Sequence, residues 1–185
     1  ATWVVRGIRF ATIHVVGTMN GRTEINLDRR SLALALADAR DVANAAWLAD
    51  SFAAAHVGQE KAVVIAMQVD PFDPSYVDNG KPVPPGSLAR CLQSDAMAPT
   101  CRALAEEVRR FAGPVLVVHG DSKQACLEPV RLEGDGRAFW RLNVWGDFTK
   151  PADIAILDID PAVPDTPFRV TGLVEGHAMP SLCQY

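Results

Sequence analysis

The sequence contains no apolar run near the ~20 residues that cross a bilayer. Its apolar stretches, such as residues 62–67 and 114–118, fall far short of that. No membrane span is expected. It has no surplus of positive charge either: 18 Lys and Arg stand against 22 Asp and Glu, for a net charge of −4. No basic cluster interleaves with aromatics, so the footprint of a nucleic-acid partner is missing. There is no Walker A or G-x-G-x-x-G loop for a nucleotide. Gly120-Asp121-Ser122-Lys123-Gln124 lacks the second glycine of a G-x-S-x-G elbow, which leaves Ser122 without the setting of a nucleophile. The four cysteines, Cys91, Cys101, Cys126 and Cys183, form no C-x-x-C pair or other zinc spacing.

What is present is the balance of one ordinary globular domain: 185 residues, 49% hydrophobic and 22% charged. The whole chain, residues 1–185, reads as one domain or part of one, since no repeat, low-complexity tract or linker divides it. Cys91 and Cys101 flank a short polar loop, and joining them would restrict the unfolded chain by roughly 2.5–3 kcal/mol. A bridge there suits a secreted or periplasmic protein. Idle thiols are the other reading, and a cytoplasmic location stays open with it. The chain starts Ala1-Thr2-Trp3 with no initiator Met, basic segment or apolar leader, and so reads as a mature chain or a fragment.

Along the chain, residues 7–17 (GIRFATIHVVG) are rich in β-branched side chains and end at glycine, the mark of a strand. Residues 18–30 read as a polar loop. The alanine-rich stretch 32–57 predicts a helix whose apolar face is Val42, Ala46, Ala49 and Ala53 with Leu48 and Phe52, closed by Gly58. Residues 61–67 (KAVVIAM) form a strand buried on both faces. Five prolines between Asp70 and Gly86 enforce a long loop. A second helix runs from Pro99 or Thr100 to Phe111, and a second buried strand follows at 114–119. Alternating strands and helices predict an α/β fold with crossovers. Beyond it, residues 137–146, 153–160 and 167–174 read as antiparallel strands with no helix between them.

Ligands of open α/β sheets bind beyond the carboxyl ends of the strands. Three polar clusters fall there: Gly17-Thr18-Met19-Asn20-Gly21, Gln68-Val69-Asp70-Pro71 and His119-Gly120-Asp121-Ser122-Lys123. The fold predicts that they converge on one rim. Each member also has a plain structural reading. Asp121 suits an Asx turn, Asn20 a left-handed loop, His119 a packed strand and Lys123 an exposed loop. Gln68 and Asp70 either orient a ligand or satisfy loop backbone.

These pieces together resemble the C-terminal half of the calcineurin-like metallophosphoesterases. The matching elements are the G-I-R-F strand Gly7 to Phe10 with Asn20 beyond it, Trp47-Leu48, Met67-Gln68-Val69-Asp70, the stretch 114–123, and Asp158-Ile159-Asp160-Pro161. The resemblance implies an α/β/β/α sandwich with a mixed sheet, of which this chain would be the C-terminal part. It also implies hydrolysis of a small phosphoester by a metal-activated water at a centre of Mn, Fe or Zn. Asp121 would then complete the metal shell, and Asn20, Gln68 and Asp70 would bind substrate. His119 and Lys123 would stand nearest the chemistry. Two departures count against a complete site. The family's D-x-H, G-D-x-x-D and G-N-H motifs are absent, and Lys123 replaces the histidine of the G-x-x-H position. A charged ammonium has no lone pair for a cation. The rival expectation is a catalytically degenerate relative that binds a ligand or protein through the same rim. A third is that the 185 residues are a complete structural or interaction module, whose exposed first strand would need a homo-oligomeric partner in place of the missing N-terminal half that the other readings imply.

Overall fold

The computed structural model describes residues 1–22, 29–76, 83, 86–122, 125–134, 136–145 and 153–183. The first strand pair is made by a two-residue turn. Strand β1 (Thr2–Val5) folds back on β2 (Ile8–Thr12) with Val5 opposite Ile8, so only Arg6 and Gly7 connect them. Both have positive φ, 51° and 77°, the geometry whose twist matches that of paired strands. The sequence reading placed one strand over residues 7–17. The β-branched run shortens to β2 because residues 13–16 leave the ladder, although Ile13 N still donates to Ala66 O at 3.0 Å.

Helix α1 (Arg30–Val57) follows, then β3 (Ala62–Ala66), the short helix α2 (Leu88–Leu92), α3 (Ala98–Arg110) and β4 (Val115–His119). Strands β5 (Cys126–Arg131) and β6 (Ala138–Asn143) complete a six-stranded sheet of order β1-β2-β3-β4-β6-β5. Strands β2, β3, β4 and β6 are mutually parallel, while β1 and β5 run antiparallel at the two edges. The chain is therefore mixed α/β, as its sequence implied. Strand β5 escaped the sequence reading because it contains Pro129. Proline is tolerated there because an edge strand lacks a ladder partner on one side.

The sheet is covered on both faces. Val63, Ile65, Val115, Val117, Val130 and Phe139 pack against Leu48, Phe52 and Ala55 of α1 and Leu104 and Val108 of α3. Val64, Leu116, Leu127 and Leu142 face the other way, onto Phe168 and Val170 of a second sheet. That sheet is the antiparallel pair β7 (Ala155–Ile159) and β8 (Phe168–Gly172). Burial from both sides explains why β3 and β4 read as continuous apolar runs.

Two disulfides staple this framework. Cys91–Cys101 joins α2 to α3, as the sequence spacing allowed, and Cys126–Cys183 ties the C-terminal segment to β5. Leu127 N donates to Pro180 O at 2.8 Å along the same edge. No helix among the described residues is long and apolar enough to cross a membrane.

The inward face of α1 differs from expectation. Its buried residues are Ala37, Asp41, Asn44, Leu48, Ser51, Phe52 and Ala55, while Val42 is 71% exposed. The apolar periodicity misled because alanine fills both sides of this helix. The polar Asp41 and Asn44 turn inward to serve the loop after β2.

A candidate rim at the carboxyl ends of the parallel strands

Parallel strands place their carboxyl ends together, and the three predicted clusters do converge. Gly17 N donates to Gln68 Oε1 at 2.6 Å, joining the segment after β2 to that after β3. Gly120 N donates to Gln68 O at 3.1 Å, which brings in the segment after β4. A Cβ built on Gly17 would lie 2.6 Å from Asp121 Oδ2 and 3.6 Å from Gln68 Nε2. The missing side chain of Gly17 is therefore what lets the Asp121 carboxylate settle beside Gln68. Gln68 is exposed and Asp121 half-buried, so this trio opens to solvent.

Beneath it lies a buried polar network on the helix-facing side of the sheet. Asp70 accepts from Phe72 N at 2.9 Å and from Ser122 Oγ at 2.9 Å. Ser122 Oγ in turn accepts from Asn143 Nδ2. Arg141 Nη1 reaches Asp70 Oδ1 at 3.4 Å, and its Nη2 and Nε reach Glu128 Oε1 at 2.6 and 2.8 Å. Its guanidinium also stacks 4.5 Å from the Phe72 ring centroid. Glu128 and Arg141 are direct cross-strand partners on β5 and β6. Glu128 Oε2 accepts from Cys183 N at 2.9 Å. Asp70, Glu128, Arg141 and His119 are each no more than 2% exposed.

His119 ends β4 with Nδ1 3.6 Å from Asp70 Oδ1, too far for a hydrogen bond. Neither ring nitrogen has a hydrogen-bond partner among the described residues. Burial holds its pKa below the ordinary 6.5, outweighing the attraction of the Asp70 carboxylate, while Arg141 pushes the same way as burial. The imidazole is thus a neutral ring packed near Phe72, at 6.3 Å between centroids.

Asn20 occupies a third place. Residues Thr18, Met19 and Asn20 have φ of 53°, 51° and 55° and ψ of 53°, 52° and 38°, and Gly21 continues at φ 69°. This is a left-handed turn, the geometry expected for Asn20, and it extends back over Thr18 and Met19. Such geometry costs a non-glycine residue roughly 1–2 kcal/mol, and helix α1 opposes it with a ladder of polar side chains. Asn20 Nδ2 donates to Asp41 Oδ1 at 2.7 Å, and Arg40 reaches both Asn20 O and Oδ1. Arg22 pairs with Asp38 and Asp41 at 2.7 and 2.5 Å. Asn44 brackets His14 by donating to its carbonyl and accepting from its N–H, at 2.8 and 3.1 Å. Asn20 is fully buried in this clamp.

Of the predicted site residues, then, Gln68 and Asp121 share the open rim. His119 and Asp70 lie in the network below it, and Asn20 holds the neighbouring loop. Lys123 lies outside the described residues. Sequence reasoning did not single out Glu128, Arg141, Ser122 and Asn143 as a unit. The available signal was a pair of opposite charges inside otherwise apolar segments, and it became readable only once β5 and β6 were paired.

The donor set does not fit a two-metal centre. No group of three or more His, Cys, Asp or Glu side chains among the described residues could hold a metal ion. No protein-family model matches this sequence, and no curated protein is significantly similar to it.

Proposed function

We propose that this chain forms one wall of a phosphoester-hydrolysing site of metallophosphoesterase type, the remaining metal ligands coming from outside the described residues. The observation that carries the reading is the convergence of Gly17, Gln68 and Asp121 on one rim. Three parallel strand ends meet there, as the α/β reading of the sequence predicted. The three layers of helices, mixed sheet and antiparallel pair are compatible with the C-terminal part of an α/β/β/α sandwich.

In this reading the residues divide the work by exposure. Gln68 Oε1 is occupied by Gly17 N, so the amide is oriented with Nε2 as the end that donates to a phosphoryl oxygen. Asp121 supplies the anionic oxygen that a divalent cation prefers. Asp70 and His119, being buried, act on ligands only through other groups. Two disulfides favour an oxidising compartment for the protein.

The test is a manganese titration and an activated phosphodiester assay on the naturally encoded protein containing this chain, beside its Asp121→Asn variant. Manganese binding and turnover, both weakened about tenfold or more by the substitution, support the proposal. No binding and no turnover in the wild type would refute it. The shortage of metal ligands favours one second reading, a rim that binds a ligand without turning it over. Phosphate binding with no hydrolysis at saturating manganese is its expected signature.

A further inference from the structure

We propose that Ser122 is a positioning residue of this rim: by joining Asp70 to Asn143 its hydroxyl fixes the backbone of the preceding Asp121, and so seats the Asp121 carboxylate over Gly17 beside Gln68. The inference rests on reading that rim as the ligand site.

Asp121 has φ 65°, a left-handed conformation that aspartate tolerates better than most residues yet still holds at a cost that glycine would not meet. The peptide that follows is anchored from both directions. Ser122 Oγ donates to Asp70 Oδ2 at 2.9 Å and accepts from Asn143 Nδ2. One hydroxyl thus ties the segments after β3 and β4 to the end of β6 beneath the rim. Ser122 is 8% exposed and its two partners 1% each, so water does not replace these bonds cheaply. Asp70 is itself held by Phe72 N and Arg141, which makes it a fixed acceptor.

Above this anchor the clearances are narrow. The Asp121 carboxylate occupies the space a Gly17 side chain would take, 2.6 Å from the site of its Cβ, and Gln68 Nε2 borders the same space. With the hydroxyl removed, the bridge between Asp70 and Asn143 is lost, while Gly120 N still donates to Gln68 O on the other side of Asp121. The backbone of Asp121 relaxes toward negative φ, and its carboxylate leaves Gly17 and Gln68. Ser122 touches no ligand in this account and acts only through Asp121.

The experiment compares the naturally encoded protein with its Ser122→Ala and Ser122→Thr variants by amide hydrogen exchange and by manganese affinity. The Gly17 amide, covered by Asp121 and bonded to Gln68, should exchange about tenfold faster in Ser122→Ala. The amides of Val64 and Leu116 in the core strands should change by less than about twofold. Thr, which keeps the hydroxyl, should restore Gly17 protection; Asn143→Leu, which removes the other side of the anchor, should mimic Ser122→Ala. Unchanged Gly17 exchange in both Ser122→Ala and Asn143→Leu would overturn the proposal. So would equal loss of protection across the core, because that marks a merely structural serine. Manganese affinity should fall with Gly17 protection. If the wild type binds no manganese while the exchange pattern holds, the phosphoesterase reading fails and the positioning role stands. If manganese binds and neither variant alters exchange or affinity, the positioning role fails and the site reading stands.

Discussion

Replacing Arg141 by Met tests the buried charge network most directly. Arg141 sets its guanidinium against both Asp70 and Glu128, each 1% exposed. Met preserves much of the side-chain volume and its packing on Phe72, so the substitution removes charge with little cavity. Two carboxylates then remain in the interior without it. Breaking a buried pair in this way costs about 3–5 kcal/mol. For a chain of this size each kcal/mol lowers Tm by roughly 2–4 °C, which gives an expected loss of roughly 6–20 °C. The assay is urea unfolding at pH 7.5, followed by tryptophan fluorescence and far-UV circular dichroism to check two-state behaviour. Adding Glu128→Gln to Arg141→Met should recover a substantial part of the loss, since a neutral amide is far cheaper to bury than a carboxylate. The same substitution in the wild type should destabilise. A single-variant cost under about 1 kcal/mol, or no recovery in the double variant, would refute the reasoning. Either result would mean that solvent reaches these groups.

The remaining predictions follow from neighbouring features. Burial depresses the His119 pKa, so the unfolded state takes up the proton first as pH falls. Its contribution to stability is therefore complete above the unfolded value near 6.5 and is lost as pH falls from there toward the folded value. Unfolding free energies at pH 7.5, 6 and 5 should show this decline, and His119→Gln should flatten it; parallel slopes would contradict the assignment. Removing Cys126–Cys183, which closes a separation of 57 residues, should cost about 4 kcal/mol on the chain-entropy account. Removing Cys91–Cys101, with a separation of 10, should cost about 2.5–3 kcal/mol. Equal losses in Cys-to-Ser pairs, read by thermal unfolding, would show that loop length is not what counts. Gly17→Ala should displace the Asp121 carboxylate with little loss of stability, because the atom it meets at 2.6 Å is the far end of a side chain that can rotate away and not backbone. A crystal structure of the variant with Asp121 unmoved would oppose this.

The sequence alone determined the alternation of apolar strands and helices, because burial on both faces leaves an unbroken apolar run such as residues 62–66. It also determined where the polar clusters would fall. Parallel strands send their carboxyl ends to the same side, so Gln68 and Asp121 had to approach one rim once the sheet formed. The Cys91–Cys101 pairing was open to it as well, since ten residues of separation span one turn between two helices.

Only the tertiary structure decided which polar residues face solvent. Asn20, Asp70 and His119 look like their exposed neighbours in the sequence, yet each is 1% exposed or less. Their burial depends on partners 21 to 71 positions away, such as Asp41 for Asn20 and Arg141 for Asp70. Strand β5 was hidden by Pro129, and with it the Glu128–Arg141 pair that anchors the network. The inward face of α1 was hidden because alanine is compatible with either side of a helix, so Asp41 and Asn44 were drawn in by the loop they bind. Local sequence encodes periodicity and turn chemistry. The satisfaction of a buried charge is a property of contacts that exist only after the chain has closed on itself.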